Sequence, residues 1–287
     1  MIPFEPYKFI KSPDIPPQKD QLHHYTNADG LFGIIDNEEL WASKIQFLND
    51  TSEFLHFIDI TKNEINLKKA EPSVTKDQTS FYEIAEESLD NIIQINAFIC
   101  SFSEEPDKLS QWRGYGGFSI GFNFDKLKSS ISQNFYLKRC IYDPVEQRKK
   151  CVELLDYFEN RYNLFKVKLP PVDREGALKA TLQQFNENIS LMGLFMKHKS
   201  FEEEHEWRLI RYNSSIDSAM GMKFRPRNNK IIPYCSIDLK NEPDLMIDNI
   251  LIGPNGQKNL INHSLDLFLR NKNLKIKLEH SKSPYMI

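Results

Sequence analysis

The stretch Cys100–Gly117 reads Cys-Ser-Phe-Ser-Glu-Glu-Pro-Asp-Lys-Leu-Ser-Gln-Trp-Arg-Gly-Tyr-Gly-Gly and is dense in side chains able to do chemistry. An apolar run from Ile95 to Cys100 leads straight into hydroxyls, carboxylates, an arginine and two large aromatics. That mixture adds little to a core. It suits a ligand site, which needs a rigid strand, aromatic faces and convergent polar groups. Ser101 and Ser103 share one face of the strand end. Arg113 offers a planar fork that can hold a phosphate bidentately. Trp112 or Tyr115 offers a face for a heteroaromatic ring. The competing reading is a polar turn whose two aromatics pack back on the core.

Three further segments carry similar side chains. In His23-His24-Tyr25-Thr26, His24 and Thr26 share one strand face and Tyr25 takes the other. A histidine there suits a ribose hydroxyl or a metal, or is simply a capped surface residue. In Leu48–Glu53, Asn49 or Asp50 caps a helix, with Glu53 three residues after Asp50 as a capping box requires. The cap follows the preceding strand so closely that Asn49 and Asp50 fall near the other polar strand ends. In Phe201–Ile210, Glu204 and Glu206 flank His205 at the mouth of a strand, on one face and about 7 Å apart. The crowded glutamates Glu202, Glu203, Glu204 and Glu206 should repel one another and raise the pKa of whichever is buried. The bland alternative is a charged loop with Glu206 and Arg208 as a solvent-facing pair.

The elements that position these groups follow from apolar spacing. Gln21–Thr26 is a short strand, and Asn27-Ala28-Asp29 starts a helix with Leu31, Ile34 and Ile35 on its apolar face. Leu40–Ile45 alternates as a strand does, and helical spacing resumes from Phe54 to Ile65. Glu71–Thr79 reads as a loop, Phe81–Ile93 as a helix and Asn96–Ser103 as a strand. Phe118–Phe122 is a strand expected to pair with Asn96–Ser103 across the Gly-rich turn, and Phe135–Tyr142 is a third. Helices over Val145–Tyr162 and Arg174–Lys197 are broken by Pro170-Pro171. Strands follow at Trp207–Tyr212, Met222–Phe224, Ile231–Cys235 and Ile247–Ile252, then a helix at Leu260–Leu269 and a strand at Leu274–Leu278. Strands and helices mix without strict βαβ alternation, which favours α+β over a doubly wound sheet. One domain over 1–287 is expected, with an irregular Pro-rich arm at 1–20 and a helical insertion at 144–200.

Composition removes several classes. The 287 residues include 37 Lys and Arg against 40 Asp and Glu, a formal charge of −3, so no global pull toward nucleic acid or membrane follows. Local basic patches remain, such as Lys223, Arg225, Arg227 and Lys230. Cys100, Cys140, Cys151 and Cys235 lie far apart with no Cys-x-x-Cys, which disfavours a sequence-local zinc site and favours a reduced, cytoplasmic setting. No signal peptide or apolar run of spanning length is visible. Neither Gly-x-Gly-x-x-Gly nor a phosphate-binding P-loop motif occurs.

As an ordered set, His24-Tyr25-Thr26, Leu40-Trp41-Ala42-Ser43, Leu48–Glu53, Ser101–Tyr115 and Glu206-Trp207-Arg208 resemble the bacterial domain of unknown function 2971 family, over about residues 20–255. More distantly the chain resembles ADP-ribosyltransferases. These carry a His or Arg on the first strand, an aromatic or Ser-x-Ser on a later one, and a catalytic Glu, often as Glu-x-Glu, further on. The resemblance implies a mixed, mainly antiparallel sheet and NAD as substrate. It implies that His24 contacts a ribose hydroxyl, that Ser101 or Ser103 supports the nicotinamide ribose, and that Glu204 or, preferably, Glu206 is catalytic. Tyr25, Thr26, Asn49, Asp50, Trp112, Arg113 and Tyr115 complete the expected ligand contacts. It also implies a protein or nucleic-acid acceptor and a toxin or phage-defence role, with a neutralising partner protein. Two other readings stand beside it: a non-catalytic nucleotide-sensing module, and a metal-dependent nucleic-acid-processing toxin using Glu53, Asp107 and Glu206.

Overall fold

The structure, a computed structural model, describes residues 16–17, 19–48, 52–90, 96–131, 135–212, 221–227, 229–241 and 244–284, with the backbone alone at 52–54, 241 and 244. The expected arm at 1–20 therefore lies almost wholly outside the described residues, as do Asn49 and Asp50 and the side chain of Glu53.

In chain order the strands are β1 Gln21–Thr26, β2 Glu39–Lys44, β3 Ala97–Ser103, β4 Phe118–Asn123, β5 Phe135–Arg139, β6 Glu206–Tyr212, β7 Met222–Arg227, β8 Lys230–Asp238, β9 Lys240–Asn241, β10 Asp244–Leu245, β11 Ile247–Ile252 and β12 Lys277–His280. The α-helices are α1 Ala28–Asn37, α2 Ser52–Lys69, α3 Lys76–Leu89, α4 Leu109–Tyr115, α5 Phe124–Ser130, α6 Pro144–Lys168, α7 Pro171–Gly193 and α8 Lys258–Asn271. Local chemistry sets their ends. Asn27 caps α1 by accepting from the Gly30 N–H. Thr75 and Gln78 form a reciprocal capping box, so α3 begins inside the segment expected to be a loop. Pro171 opens α7, where its missing N–H costs nothing.

The large sheet runs β12-β11-β4-β1-β3-β2-β8-β7, with β6 on the other edge of β3 and β5 on β6. Among the described residues its ladders are antiparallel except β11–β12. The mixed α+β, mainly antiparallel reading of the sequence is what the structure shows. The expected pairing of β4 with β3 is not: β4 pairs with β1 and β11, because β1 takes the place beside β3.

The decisive feature is a fork. One edge of β3 pairs with β6 from Ala97↔Tyr212 to Ser103↔Glu206. The other edge is shared. β2 takes Phe98 and Ile99 at one end, and β1 takes Ser103 at the other. Between them the two strands diverge, joined by α1.

Side-chain parity divides the sheet into two faces. Ala97 and Ile99 of β3 and Ile210 of β6 pack on Phe57 and Ile65 of α2, Phe81 of α3, Phe158 of α6 and Phe185 of α7. Phe98, Cys100 and Phe102 pack the other way, with Leu22, Ile34, Ile120, Trp207, Ile250 and Leu265. Among the described residues no helix is long and apolar enough to cross a membrane.

Candidate functional site

Where the sheet forks, a cavity of about 820 Å³ opens. That is within the range of small-molecule sites. Its lining comes from the end of β1 (His24, Tyr25, Thr26), the start of α1 (Asn27, Asp29, Gly30), β2 (Trp41, Ser43), β3 (Ile99, Cys100, Ser101), Tyr115 of α4, and the β7–β8 hairpin (Arg225, Arg227, Lys230). A second chamber of about 40 Å³ adjoins it and shares His24, Tyr25, Ser101 and Tyr115. Its remaining wall is His23, Phe102, Gln111, Glu204 and Glu206. The structure thus brings His24, Ser101, Tyr115, Glu204 and Glu206 together across sequence separations of up to about 180 residues.

His24 sits in the fork. Its Nδ1 lies 2.9 Å from the Ser101 carbonyl, on the β3 edge that neither β1 nor β2 covers. A carbonyl only accepts, so Nδ1 carries the proton. Burial lowers the His24 pKa, and nearby Arg225 adds to this against the pull of the Ser101 carbonyl. The ring is therefore neutral at pH 7, with Nε2 an acceptor. Thr26 and Tyr25 follow on β1. The Thr26 hydroxyl packs so closely on Gly30 that a Cβ there would lie 2.0 Å from it. Tyr25 donates to the Glu105 carbonyl at 2.6 Å and accepts from the Lys108 N–H at 2.9 Å, fixing the loop that leads into α4.

Glu206 opens β6 on the same face as Ser101 and Ser103. Its carboxylate is 2.8 and 3.1 Å from Nε and Nη2 of Arg208 and 2.7 Å from Nζ of Lys197. Lys197 also holds Glu204 at 2.5 Å. The expectation that repulsion would raise the buried glutamate's pKa is overturned. Burial pushes the Glu206 carboxyl up, but Arg208 and Lys197 outweigh it and bring it down to about 2. Nor do Glu206 and Arg208 form a solvent-facing pair, since both are buried. Glu204 lies outside the strand, in a 3₁₀ turn that ends at His205 in the left-handed region (φ 42°).

The other expected residues divide. Ser103 is buried and occupied: its Oγ donates to the Glu204 carbonyl at 2.6 Å and accepts from the Glu105 N–H at 3.0 Å. It shapes the turn and lines neither cavity. Trp112 is 1% exposed. Its ring meets Tyr25 edge-on at 4.7 Å, and Nε1 donates to Asp107 at 2.8 Å. Trp112 therefore holds up the floor, and the available aromatic face is that of Tyr115, 45% exposed. Arg113 is exposed and lines neither cavity. Asp107 is committed to Trp112, Ser281 and the Lys282 N–H. Among the described residues no group of three or more His, Cys, Asp or Glu side chains is placed to hold a metal ion.

Four contributors outside the expected site residues matter most. Trp41, Ser43 and Arg225 line the same cavity as Tyr115; Arg225 Nη2 donates to Ser43 Oγ at 2.9 Å, with its guanidinium 4.7 Å from the Trp41 ring. The signal was present as alternation: Lys223, Arg225 and Arg227 share one strand face, as do Trp41 and Ser43. The fourth, His23, pairs with Ser103 and so shares the face of Glu206. Burial, with Lys19 adding to it, takes its pKa down to about 4.

A family described as "Protein of unknown function (DUF2971)" matches residues 111–209, from α4 to β6, which bears out the family resemblance over that stretch. Neither a curated protein nor a solved structure matches the chain.

Proposed function

We propose that the forked cleft binds NAD and that the protein is an ADP-ribosyltransferase-like enzyme. The observation that carries this reading is the convergence of His24, Ser101, Tyr115 and Glu206 on two adjoining cavities at the fork. In this reading the nicotinamide stacks on Tyr115, and His24 Nε2 accepts from a ribose hydroxyl. Ser101 supports the nicotinamide ribose. In this reading, cleavage of the C1′–nicotinamide bond gives an oxocarbenium-like state, whose charge the ionised Glu206 of the adjoining small chamber would stabilise. The acceptor nucleophile, from protein, nucleic acid or water, then bonds to C1′ and gives its proton to solvent.

The test is direct. The full chain is mixed with NAD, and nicotinamide release and acceptor labelling are followed by mass spectrometry. Turnover is expected, with Tyr115→Ala and Glu206→Gln each slowing it by about 10²-fold or more. Absence of both NAD binding and nicotinamide release overturns the reading.

One observation favours a second reading, a nucleotide-binding module without catalysis. Glu206 is already held by Arg208 and Lys197, so part of its charge is committed before any substrate arrives. NAD binding without product, with Glu206→Gln binding unchanged, selects this reading.

A further inference from the structure

The wall of the cleft formed by β2, β7 and β8 has an excess of positive charge. Arg225, Arg227 and Lys230 line the cavity, and among the described residues Asp29 is the one carboxylate in its lining. Arg227 and Lys230 are exposed, whereas Arg225 is half-buried. Its guanidinium lies over the rings of Trp41 (4.7 Å) and Tyr234 (5.9 Å), which themselves pack with centroids 5.4 Å apart. Among the described residues no carboxylate lies within ion-pair distance of it. Among the described residues its one side-chain hydrogen-bond partner is the neutral Ser43 hydroxyl, and its Nε is shielded from water with no acceptor. Trp41 Nε1, in the same wall, is likewise buried without an acceptor among the described residues.

That arrangement is unusual energetically. Even a half-buried cation loses part of its water, and ordinarily regains a counter-ion or hydrogen bonds in exchange. Lys197, Arg208 and Lys223 all have carboxylate partners in this protein. Arg225 has aromatic faces and a hydroxyl. Stacked guanidinium with its edge toward a cavity is a geometry suited to a planar fork on phosphate oxygens.

We infer that this wall is an anion subsite, in which Arg225, assisted by Arg227 and Lys230, receives a phosphate or pyrophosphate group of a small-molecule ligand. The inference rests on the NAD reading for the ligand's identity, but its chemistry is that of phosphate alone. It also reassigns a role: the phosphate fork expected at Arg113 belongs to Arg225. A ligand with pyrophosphate on Arg225 and a ring on Tyr115 would lie along the cleft, with the sugar between at His24 and Ser101.

Calorimetric titration of the full chain tests it, with sodium pyrophosphate, ADP-ribose, adenosine and a short single-stranded oligonucleotide as separate probes. Pyrophosphate and ADP-ribose should bind, adenosine more weakly than ADP-ribose, and Arg225→Gln should weaken both anions by about tenfold or more. Arg225→Lys, a point charge without the planar fork, should fall between. Should Arg225→Gln fail to fold, the double variant Arg227→Gln, Lys230→Gln decides, since both side chains are exposed; it should weaken pyrophosphate binding by about threefold. Anion binding unaltered in the folded variants overturns the subsite. So does adenosine binding as tightly as ADP-ribose, or an oligonucleotide binding where pyrophosphate and ADP-ribose do not. Pyrophosphate binding lost in Arg225→Gln, together with no nicotinamide release from NAD, removes the transferase reading and leaves the subsite standing.

Discussion

Glu206→Gln would leave Lys197 and Arg208 facing a neutral amide inside the protein. Breaking such a buried pair costs about 3–5 kcal/mol, and urea denaturation should show a loss of that order. The same carboxylate makes the fold acid-sensitive. Its pKa falls from the ordinary 4.5 to about 2, which corresponds to about 3 kcal/mol. That stability is complete above pH 4.5 and is lost as pH falls toward 2. His23 acts earlier. Its pKa is lowered from 6.5 to about 4, so the unfolded chain takes up the proton first. Its contribution is complete above pH 6.5 and is lost as pH falls toward 4. His24, shifted the same way, adds to this limb. Urea midpoints against pH should therefore decline in two limbs, and His23→Gln should make the 6.5-to-4 limb shallower; an unchanged slope refutes its buried neutral state. The two residues differ in how far sequence revealed them. Glu206 announces itself as the first residue of a strand after a glutamate run. Its partner Lys197 has no local signal, since nothing in Met196-Lys197-His198 says that this lysine is buried. The expected sign of the Glu206 shift was wrong for that reason: neighbouring charges in sequence were visible, and the cations across the fold were not.

At the scale of elements, the cleft depends on how closely α1 approaches β2. Gly33 makes that approach possible: a Cβ there would lie 2.0 Å from the Trp41 ring. Gly33→Ala must push the indole aside, at a cost of about 1–3 kcal/mol, and disturb the Arg225 stack with it. Thermal denaturation should show the loss, and tryptophan fluorescence should shift, because Trp112 and Trp207 are fully buried and Trp41 is not. Gly114→Ala is the contrast. A Cβ at Gly114, inside α4, meets nothing within 4 Å, so removing unfolded-state freedom should raise stability by about 0.4–1 kcal/mol. Equal effects at the two positions would sink the close-approach argument. Apolar period made β1, α1, β2, β3, β6 and β11 legible, because each carries a clean face. α4 was not, since its seven residues hold the very aromatics and polar groups that suggested a turn. The partner of β4 was not legible either. Proximity in sequence favoured β3, whereas the register His24↔Ile120 and the long apolar face of β11 place β4 between β1 and β11.

Across the whole molecule, the helices α6 and α7 are tied to the sheet by more than their packing. Gln147, buried on α6, donates from Nε2 to the carbonyls of Ile141 and Lys197 at 2.6 and 2.8 Å. Lys197 carries the connection onward to Glu206, and Arg208 donates back to the Leu194 carbonyl at 2.8 Å. The Glu206 N–H is itself 2.8 Å from Tyr142 Oη. The polar wall of the small chamber is thus the same structure that joins helices to sheet. Side chains of β3 alternate between the two apolar cores, so neither face can loosen without releasing the strand that the other needs. Phe158→Ala, in the core under the helices, should cost about 3–5 kcal/mol, and Ile250→Ala, in the core on the opposite face, about 2–5 kcal/mol. If the two cores are one cooperative unit, calorimetry shows a single transition that moves down in both variants. Two transitions, with Phe158→Ala shifting one and Ile250→Ala the other, would mean that the helices melt separately from the sheet. The cleft would then be expected to lose its Glu206 wall while the β7–β8 wall kept its shape, and anion binding would outlast the helices.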